Sequence, residues 1–368
     1  MSPKEPTEVE KGALGRRLKS AFAIVLSLGI LIGGGVFAAV KVNEAYYAIR
    51  TVEDYIGDGK DDIEVTVPKG MSLGGIGTLL VKADVVKTTR AFSQAVNDEP
   101  DASKIQAGKY RLKTQLPAKT ALSMLLDSNN LVRTKMTLQE GLTVTQSVAI
   151  MAKAGGLEQS EITTALKDAS KIGLPSWANK NPEGFLFPET YELPQDPTAV
   201  QIVSLTTKQF TKVTNSINFS GRAGENKVSA YQALIIASLI EGEVHTSEYQ
   251  TKVARVIYNR LAKGMNLQLD STVHYAVGKS GTVTTTDEDR KNSSPYNTYV
   301  HKGLPPGPIG SPGQSALEAA IAPDSGDWLY FVTVDLDTGE TLFTSSYEEH
   351  EANVKKFQDW CNAHSGRC

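Results

Sequence analysis

The chain of 368 residues is long enough for two or three domains with their own cores, and its 40% hydrophobic and 21% charged residues are typical of a folded protein. A net charge of -3 gives no reason to expect a nucleic-acid partner, because such proteins normally present a basic face. The two cysteines, Cys361 and Cys368, lie close to the C-terminus and fit no zinc-site spacing. They either close a short disulfide loop or remain two thiols on a tail at 361–368.

An apolar segment at 21–40 contains no charged residue. At helical rise it is long enough to cross the roughly 30 Å core of a bilayer, so it predicts a transmembrane helix. Basic residues cluster before the segment, whereas Lys41 alone follows closely. The positive-inside rule then predicts a cytoplasmic tail at 1–20 and a single-pass membrane protein. A cleaved signal peptide is the alternative, although the apolar stretch is long for one.

After this span, residues 41–62 are predicted to be a stalk and linker, helical from Asn43 to Ile56. Next comes a predicted β-α-α-β unit at 63–113. An alternating strand at 63–67 opens the unit, and two helices and a return strand ending near Leu112 follow.

The same pattern returns 71 positions later. Gly70-Met-Ser72 matches Gly141-Leu-Thr143, and Tyr110-Arg-Leu112 returns as Tyr191-Glu-Leu193 after an insertion. We therefore predict a second, repeat-like module at 136–195. The first copy resembles the LysM module, a small glycan-binding unit, in its V-x-V-P-x-G-x-S opening.

From Val228 onward, longer helices and loops rich in glycine and proline predict a further domain at 221–360. The apolar run Tyr231–Ile240 predicts a buried helix, and Ser247-Glu-Tyr-Gln250 predicts a capping box that starts the next helix. A strand is predicted at Trp328–Val334. The fold class expected for the extracytoplasmic region is therefore α+β.

Glu241 closes the apolar run and opens the acidic cluster Glu241-Gly-Glu243. A carboxylate at the end of a helix with almost no polar face is desolvated, and desolvation favours the protonated acid. Such an acid can protonate a glycosidic oxygen before its bond breaks. The alternative is an ordinary acidic residue at the point where a buried helix emerges into solvent.

Four ordered segments carry a more specific pattern: Ala237-Ser-Leu-Ile-Glu-Gly-Glu243, Asn259 to Val273, Tyr296-Asn-Thr-Tyr299 and Gly303-Leu-Pro-Pro-Gly-Pro-Ile309. Together with Glu183-Gly-Phe-Leu-Phe-Pro-Glu-Thr-Tyr191, they resemble the signatures of the YceG-like family, the endolytic murein transglycosylases. The likeness extends from the apolar span to about Val354.

The resemblance implies a single-pass inner-membrane enzyme that cuts nascent peptidoglycan strands internally between N-acetylmuramic acid and N-acetylglucosamine and leaves a 1,6-anhydromuramyl end. It also implies that 221–360 is the catalytic core and that the module at 136–195 is part of the catalytic region. It implies glycan strands as substrate, cell-wall synthases as partners, and neither a cofactor nor a metal. The family's catalytic glutamate corresponds to Glu241. One carboxylate can suffice, because it acts first as acid and then as base on the sugar's own C6 hydroxyl, whereas ordinary glycosidases use two.

The remaining candidates are polar or aromatic residues near this glutamate, expected to bind substrate or support the site: Glu243, Gln268, Asp270, Tyr296, Asn297, Thr298 and Tyr299. Their alternative role is turn chemistry that holds loops together. Glu243 should point away from Glu241 unless Gly242 ends the helix. Glu183 and Glu189 could approach the cleft, although their aromatic neighbours indicate core packing.

One departure from the family pattern and two alternative functions stay open. Many family members carry a histidine where this chain has Thr341, two residues before Phe343, so a histidine role there is in doubt. A zinc hydrolase built on Glu241, Glu243 and His245 lacks the H-E-x-x-H pattern. The rival from another class is a membrane-anchored, noncatalytic protein that binds glycan or scaffolds the cell-wall machinery.

Overall fold

The structure is a computed structural model that describes residues 22, 26–43, 52–244, 246–279, 284–364, 366 and 367. Its mixture of helices and small antiparallel sheets confirms the predicted mixed class. The chain divides into two units, Met1–Val132 and Arg133–Cys368. The predicted cytoplasmic tail, most of the predicted stalk helix, His245 and Cys368 lie outside the described residues. Cys361 is disulfide-bonded.

The first described helix is α1 (Leu26–Asn43), which is exposed along its length. Its 18 residues have a mean hydropathy of 1.6, so α1 is long and apolar enough to cross a membrane.

The predicted stalk helix does not reach Ile56, because residues 52–56 have no regular secondary structure. Asp54 explains the difference, since its carboxylate accepts hydrogen bonds from the amides of Tyr55 at 2.8 Å and Ala118 at 2.9 Å. A side chain that bonds its own neighbouring amide competes with helix formation.

The rest of the first unit is a three-stranded antiparallel sheet with helices packed on it. Its elements in chain order are β1 (Asp62–Val67), α2 (Leu73–Lys82), α3 (Thr89–Asn97), β2 (Gly108–Lys113), α4 (Ala118–Leu126) and β3 (Leu131–Val132). Central β2 pairs with β1 and β3. Leu80, Phe92, Tyr110 and Leu112 are almost fully buried and form the centre of this core.

The second unit opens with the same order of elements: β4 (Thr134–Thr137), α5 (Val144–Gly155), α6 (Gln159–Leu166) and β5 (Thr190–Leu193). Strands β4 and β5 pair antiparallel with Met136 opposite Tyr191, as Val65 lies opposite Tyr110 in the first unit.

Equivalent residues also have equivalent local geometry. Gly70 and Gly141 both have a left-handed backbone, with φ of 77° and 75°, and the hydroxyl two positions later caps the following helix. The tyrosine of each return strand donates to the carbonyl four residues earlier, Tyr110 at 2.8 Å and Tyr191 at 2.6 Å. Glycine adopts a left-handed backbone without the strain that a side chain brings, so it is favoured at both positions.

The remaining elements are mostly helical: α7 (Ala199–Ser216), α8 (Phe219–Glu225), α9 (Ala230–Glu243), α10 (Ser247–Ala262), α11 (Asp270–Val277), α12 (Gln314–Ile321), β6 (Tyr330–Thr333), β7 (Thr341–Thr344) and α13 (Tyr347–Ala363). Helix α9 is central, because α8, α10, α11 and α12 all pack against it. Every residue from Ala233 to Glu241 is buried. This burial explains why the helix has almost no polar face.

The predicted capping box at Ser247 does not form. Helix α10 has Thr246 as its N-cap, without a side-chain capping bond, and Ser247 is already the first helical residue. Gln250 is buried instead, and its Nε2 lies 3.4 Å from the carbonyl oxygen of Val244. The side chain of Gln250 is therefore packed in the interior and does not form the capping hydrogen bond. The strand predicted at Trp328–Val334 is shorter than expected, since β6 covers only Tyr330–Thr333.

Candidate active site

Glu241 lies in the last turn of α9 and is only 4% exposed. Its Oε2 accepts a hydrogen bond of 3.0 Å from the amide of Gly313, whereas Oε1 accepts none from the described residues. Burial raises the pKa of Glu241 to about 7; the Gly313 amide lowers it and the nearby charge of Glu140 raises it. A substantial fraction of Glu241 is therefore protonated at neutral pH and can donate a proton.

The loop before α12 brings Gly313 to Glu241. One turn earlier on α9, the hydroxyl of Ser238 accepts a 3.1 Å hydrogen bond from the amide of Ile309, which fixes this loop to the helix. Gly310 packs directly on the second module, where a Cβ would lie 2.5 Å from the carbonyl oxygen of Gly141. A side chain at 310 would therefore push the two loops apart.

The loop between β4 and α5 forms the other wall beside Glu241. The amide of Gly141 donates to the carbonyl of Ser311 at 2.8 Å, and the amide of Ser311 donates to the carbonyl of Leu142 at 2.9 Å. Glu140 comes next to the site through this pairing, because its carboxylate occupies the space where a Cβ on Gly313 would lie. Sequence reasoning missed Glu140; its place directly before the glycine of the repeat was the available signal.

Glu243 has a different environment from Glu241. Helix α9 continues through Gly242, so the two carboxylates point in different directions. The carboxylate of Glu243 accepts a 3.1 Å hydrogen bond from the amide of Ser271, at the start of α11. Burial raises the pKa of Glu243 to about 7, against the lowering effect of hydrogen bonding by Ser271. Glu243 is thus a second protonatable acid on another face of the helix end.

A cleft of about 1270 Å³ opens on the Glu243 side of α9. Four of the predicted site residues line it: Glu243, Gln268, Asp270 and Tyr299. Its far wall is formed by β6, β7 and α13. Gly242 also borders the cleft, whereas Glu241 does not. The buried acid is thus the neighbour in the chain of a residue that lines the cleft.

Asp270 organises the polar wall of this cleft. Its Oδ1 accepts hydrogen bonds from the hydroxyls of Tyr299 at 2.6 Å and Thr285 at 2.7 Å, and Arg290 lies 3.5 Å from Oδ2. Gln268 is exposed in a left-handed conformation with φ of 50°. Loop geometry therefore directs Gln268, Asp270 and Tyr299 to the same cleft.

Asn297 and Thr298 lie behind that wall and are at most 1% exposed. Asn297 Nδ2 donates to the carbonyls of Arg290 at 2.9 Å and Asn292 at 2.7 Å, and its Oδ1 accepts from the amide of Tyr299 at 2.9 Å. The hydroxyl of Thr298 accepts from the amide of Leu269 at 3.0 Å. These contacts correspond to the loop-holding alternative considered from the sequence.

Tyr296 belongs to a separate aromatic group, with its ring 4.8 Å from that of Tyr275. A Cβ on Gly307 would lie 2.9 Å from the hydroxyl of Tyr296 and 3.1 Å from that of Tyr231. The proline-rich loop thus lies against tyrosine hydroxyls because position 307 is a glycine.

Glu183 is buried and faces the same tyrosine group. Its carboxylate accepts from the amide of Val144 at 3.0 Å and from the hydroxyl of Tyr275 at 3.2 Å. Burial raises the pKa of Glu183 to about 7. Since Val144 is the first residue of α5, Glu183 anchors the loop that carries Glu140. Phe185 and Phe187 are core residues and Glu189 is exposed.

Thr341, the position at which the resemblance raised the question of a histidine, lies on β7 and borders the cleft. Its hydroxyl pairs across the hairpin with that of Thr333 at 2.9 Å. Among the described residues, no group of three or more His, Cys, Asp or Glu side chains could hold a metal ion.

Comparison with known proteins relates this arrangement to one family. The model of the YceG-like family matches residues 65–356. An endolytic murein transglycosylase of Bacillus subtilis is 34% identical over 343 residues, which are 89% of this chain and 91% of that protein. One from Streptococcus pneumoniae is 28% identical over 91% of this chain and 64% of its own length.

A solved structure of a yceG-like protein from Listeria monocytogenes has a similar fold, with a TM-score of 0.54 and 29% identity. The match covers 80% of this chain and 99% of that one. Because the family model spans most of the chain and the Bacillus relative aligns along nearly all of it, the chain belongs to the YceG-like family.

Proposed function

We propose that this protein is a lytic transglycosylase that cleaves peptidoglycan strands internally, with Glu241 as its acid and base. The names of its relatives support the reaction, since the matched proteins from Bacillus subtilis and Streptococcus pneumoniae are endolytic murein transglycosylases. The observation that supports Glu241 is its burial at the end of α9, which keeps a carboxyl group protonated near neutral pH.

In the first step, protonated Glu241 gives its proton to the oxygen that joins N-acetylmuramic acid to N-acetylglucosamine. The bond from C1 of the muramic sugar to that oxygen breaks, and its electron pair leaves with the N-acetylglucosamine end. Positive charge develops at C1, as in other glycoside cleavages. Glu241 becomes a carboxylate, stabilised by the amide of Gly313.

In the second step, the Glu241 carboxylate takes the proton from the C6 hydroxyl of the same muramic sugar. The C6 oxygen attacks C1 and closes the 1,6-anhydro ring, so no water is consumed and Glu241 is protonated again. A single carboxylate is enough because the substrate supplies the nucleophile. Neither step requires the second carboxylate that hydrolytic glycosidases need to activate water or to attack C1.

The cleft beside α9 supplies a surface for the glycan strand. Sugars are recognised by hydrogen-bonding groups combined with aromatic faces. Glu243, Gln268, Asp270 and Tyr299 provide such groups along one wall, and Tyr330 lies on another. We assign these residues to substrate binding. Asn297 and Thr298 hold the wall in place.

The exposed helix α1 supports anchoring in the membrane. Basic residues before the apolar segment favour a cytoplasmic N-terminus, which places the catalytic region outside, where peptidoglycan is made. Cell-wall synthases are the partners that such a location favours. The likeness of the first unit to a LysM module supports glycan binding by that unit.

Digestion of purified peptidoglycan tests the proposal. Wild-type protein should release strands with 1,6-anhydro ends, and Glu241→Gln should lower the rate at least about 100-fold, because general acid–base catalysis contributes this much or more. Glu243→Gln should reduce the rate less. Intact strands with retained binding by wild-type protein would instead support a noncatalytic scaffold, and reducing ends would indicate a hydrolase that activates water.

A further inference from the structure

Glu140 is an acidic residue beside Glu241 to which the mechanism above assigns no role. It is exposed on the loop between β4 and α5, and its carboxylate lies against Gly313. The amide of the same glycine donates to Glu241. Two carboxylates from distant parts of the chain thus contact one residue.

The position of Glu140 is fixed by its neighbours. Gly141 and Leu142 exchange two backbone hydrogen bonds with Ser311, at 2.8 and 2.9 Å. The side chain of Glu241 passes close to the same loop, since a Cβ on Gly141 would lie 3.8 Å from its Cγ. The loop therefore presents Glu140 to Glu241 as part of a built wall.

The elements that pack on α9 carry other charged groups. On the cleft side, Asp270 of α11 and Arg260 of α10 act on Glu243. Glu318 of α12 accepts a hydrogen bond from Gln314, and Arg222 lies in the last turn of α8. Through-space charge reaches Glu241 from Glu140, where it disfavours the carboxylate form.

We propose that Glu140 is a positioning residue for the proposed transglycosylase reaction: its negative charge beside Gly313 keeps Glu241 in the protonated form that begins the reaction. After Glu241 has donated its proton, the same repulsion makes the new carboxylate a stronger base. The C6 hydroxyl proton then returns to Glu241, and Glu140 exchanges no proton with the substrate.

The test is the pH dependence of anhydro-end formation by the full-length protein in detergent. Glu140→Gln should move the alkaline limb of kcat to lower pH by about half a unit to one unit, because a neutral amide no longer repels the Glu241 carboxylate. The rate should fall about 3- to 10-fold at pH 8 and change little at pH 5.5, with KM unchanged. Glu140→Asp keeps the charge, so its alkaline limb should lie between those of Glu140→Gln and the wild type.

Two further measurements separate charge from structure. High salt should move the wild-type limb toward that of Glu140→Gln, because screening weakens an interaction with an exposed charge. Glu225→Gln, at an exposed position on α8, serves as the control and should leave the limb unchanged. A Glu140→Gln profile that coincides with the wild type, or that falls equally at every pH, would overturn the proposal. Failure of the proposed function is distinguishable, since the wild-type protein would then release no anhydro ends, or Glu241→Gln would release them as fast as the wild type.

Discussion

At the scale of single residues, three glutamates of the second unit have a pKa that burial raises to about 7: Glu183, Glu241 and Glu243. Their hydrogen-bond partners distinguish them. Glu241 faces the amide of a loop glycine, Glu243 faces the start of α11, and Glu183 faces the start of α5. The same physical effect therefore serves the acid chemistry proposed for Glu241 and an anchoring contact made by Glu183.

Glu183 should make the second unit less stable as pH rises. Its pKa is raised on folding, so its contribution to stability is complete below the ordinary value of 4.5 and is lost as pH rises toward about 7. In Glu183→Gln the stability lost between low and high pH should be smaller by about 1–3 kcal/mol, because an amide does not ionise. The amide can still accept from Val144 and can donate to Tyr275, so the fold is kept.

Chemical denaturation at pH 5 and pH 8, followed by tryptophan fluorescence, measures this effect. All three tryptophans, Trp177, Trp328 and Trp360, lie in the second unit, so the signal reports on that unit alone. Glu225→Gln is the matched control. An equal decline in stability for wild type and Glu183→Gln would contradict the prediction.

At the scale of elements, loops hold the site as much as helices do. The cleft wall depends on the loop that ends at Tyr299, and Asn297 ties that loop to itself through three hydrogen bonds. The acid depends on the two paired loops that contain Gly141 and Gly313. Helix α9 supplies the burial, whereas these loops supply the partners.

Asn297→Ala should destabilise the second unit by about 2–4 kcal/mol, because it leaves two partly buried carbonyls and one partly buried amide without their partner. The matched control is Asn215→Ala, an exposed position near the end of α7, where a change within about 0.5 kcal/mol is expected. Denaturation midpoints from tryptophan fluorescence measure both. Loss of activity in Asn297→Ala with unchanged stability would indicate direct substrate binding instead.

At the scale of the whole molecule, α1 presents large apolar side chains such as Leu31 and Ile32, which are 73% and 61% exposed. A bilayer is the environment that covers such a helix. The double variant Leu31→Lys with Ile32→Lys should lose membrane association, since each lysine at a span centre costs about 2.5–3.5 kcal/mol. Sedimentation of membranes from cells separates the bound and soluble protein.

Leu31→Ala with Ile32→Ala is the matched control and should stay with the membrane, because the segment remains apolar. Protease added to cells without their wall should digest the region after α1 and spare the N-terminal tail if the proposed orientation is correct. Recovery of the wild-type protein in the soluble fraction would favour the cleaved signal peptide.

Local chemistry made much of this protein readable from its sequence. Some sequence features determine structure through contacts between near neighbours in the chain. They are the apolar run of α9, the glycine and hydroxyl of each repeat, and the uncharged segment of α1. Their helices, turns and caps follow from side-chain spacing and backbone geometry. The buried acid at the end of α9 was predictable for the same reason, because a helix that is almost entirely apolar is expected to be buried.

Only the tertiary structure decided what lies opposite each of these groups. Glu140 lies beside Glu241 because its loop pairs with the loop at Ser311, far away in the chain. Gln250 does not cap its helix, because its side chain is directed to the carbonyl of Val244. Asn297 and Thr298 face their own loops while Asp270 and Tyr299 face the cleft. The first contact joins residues far apart in the chain and some of the others join near neighbours, but all of them depend on how whole elements pack, which no local pattern records.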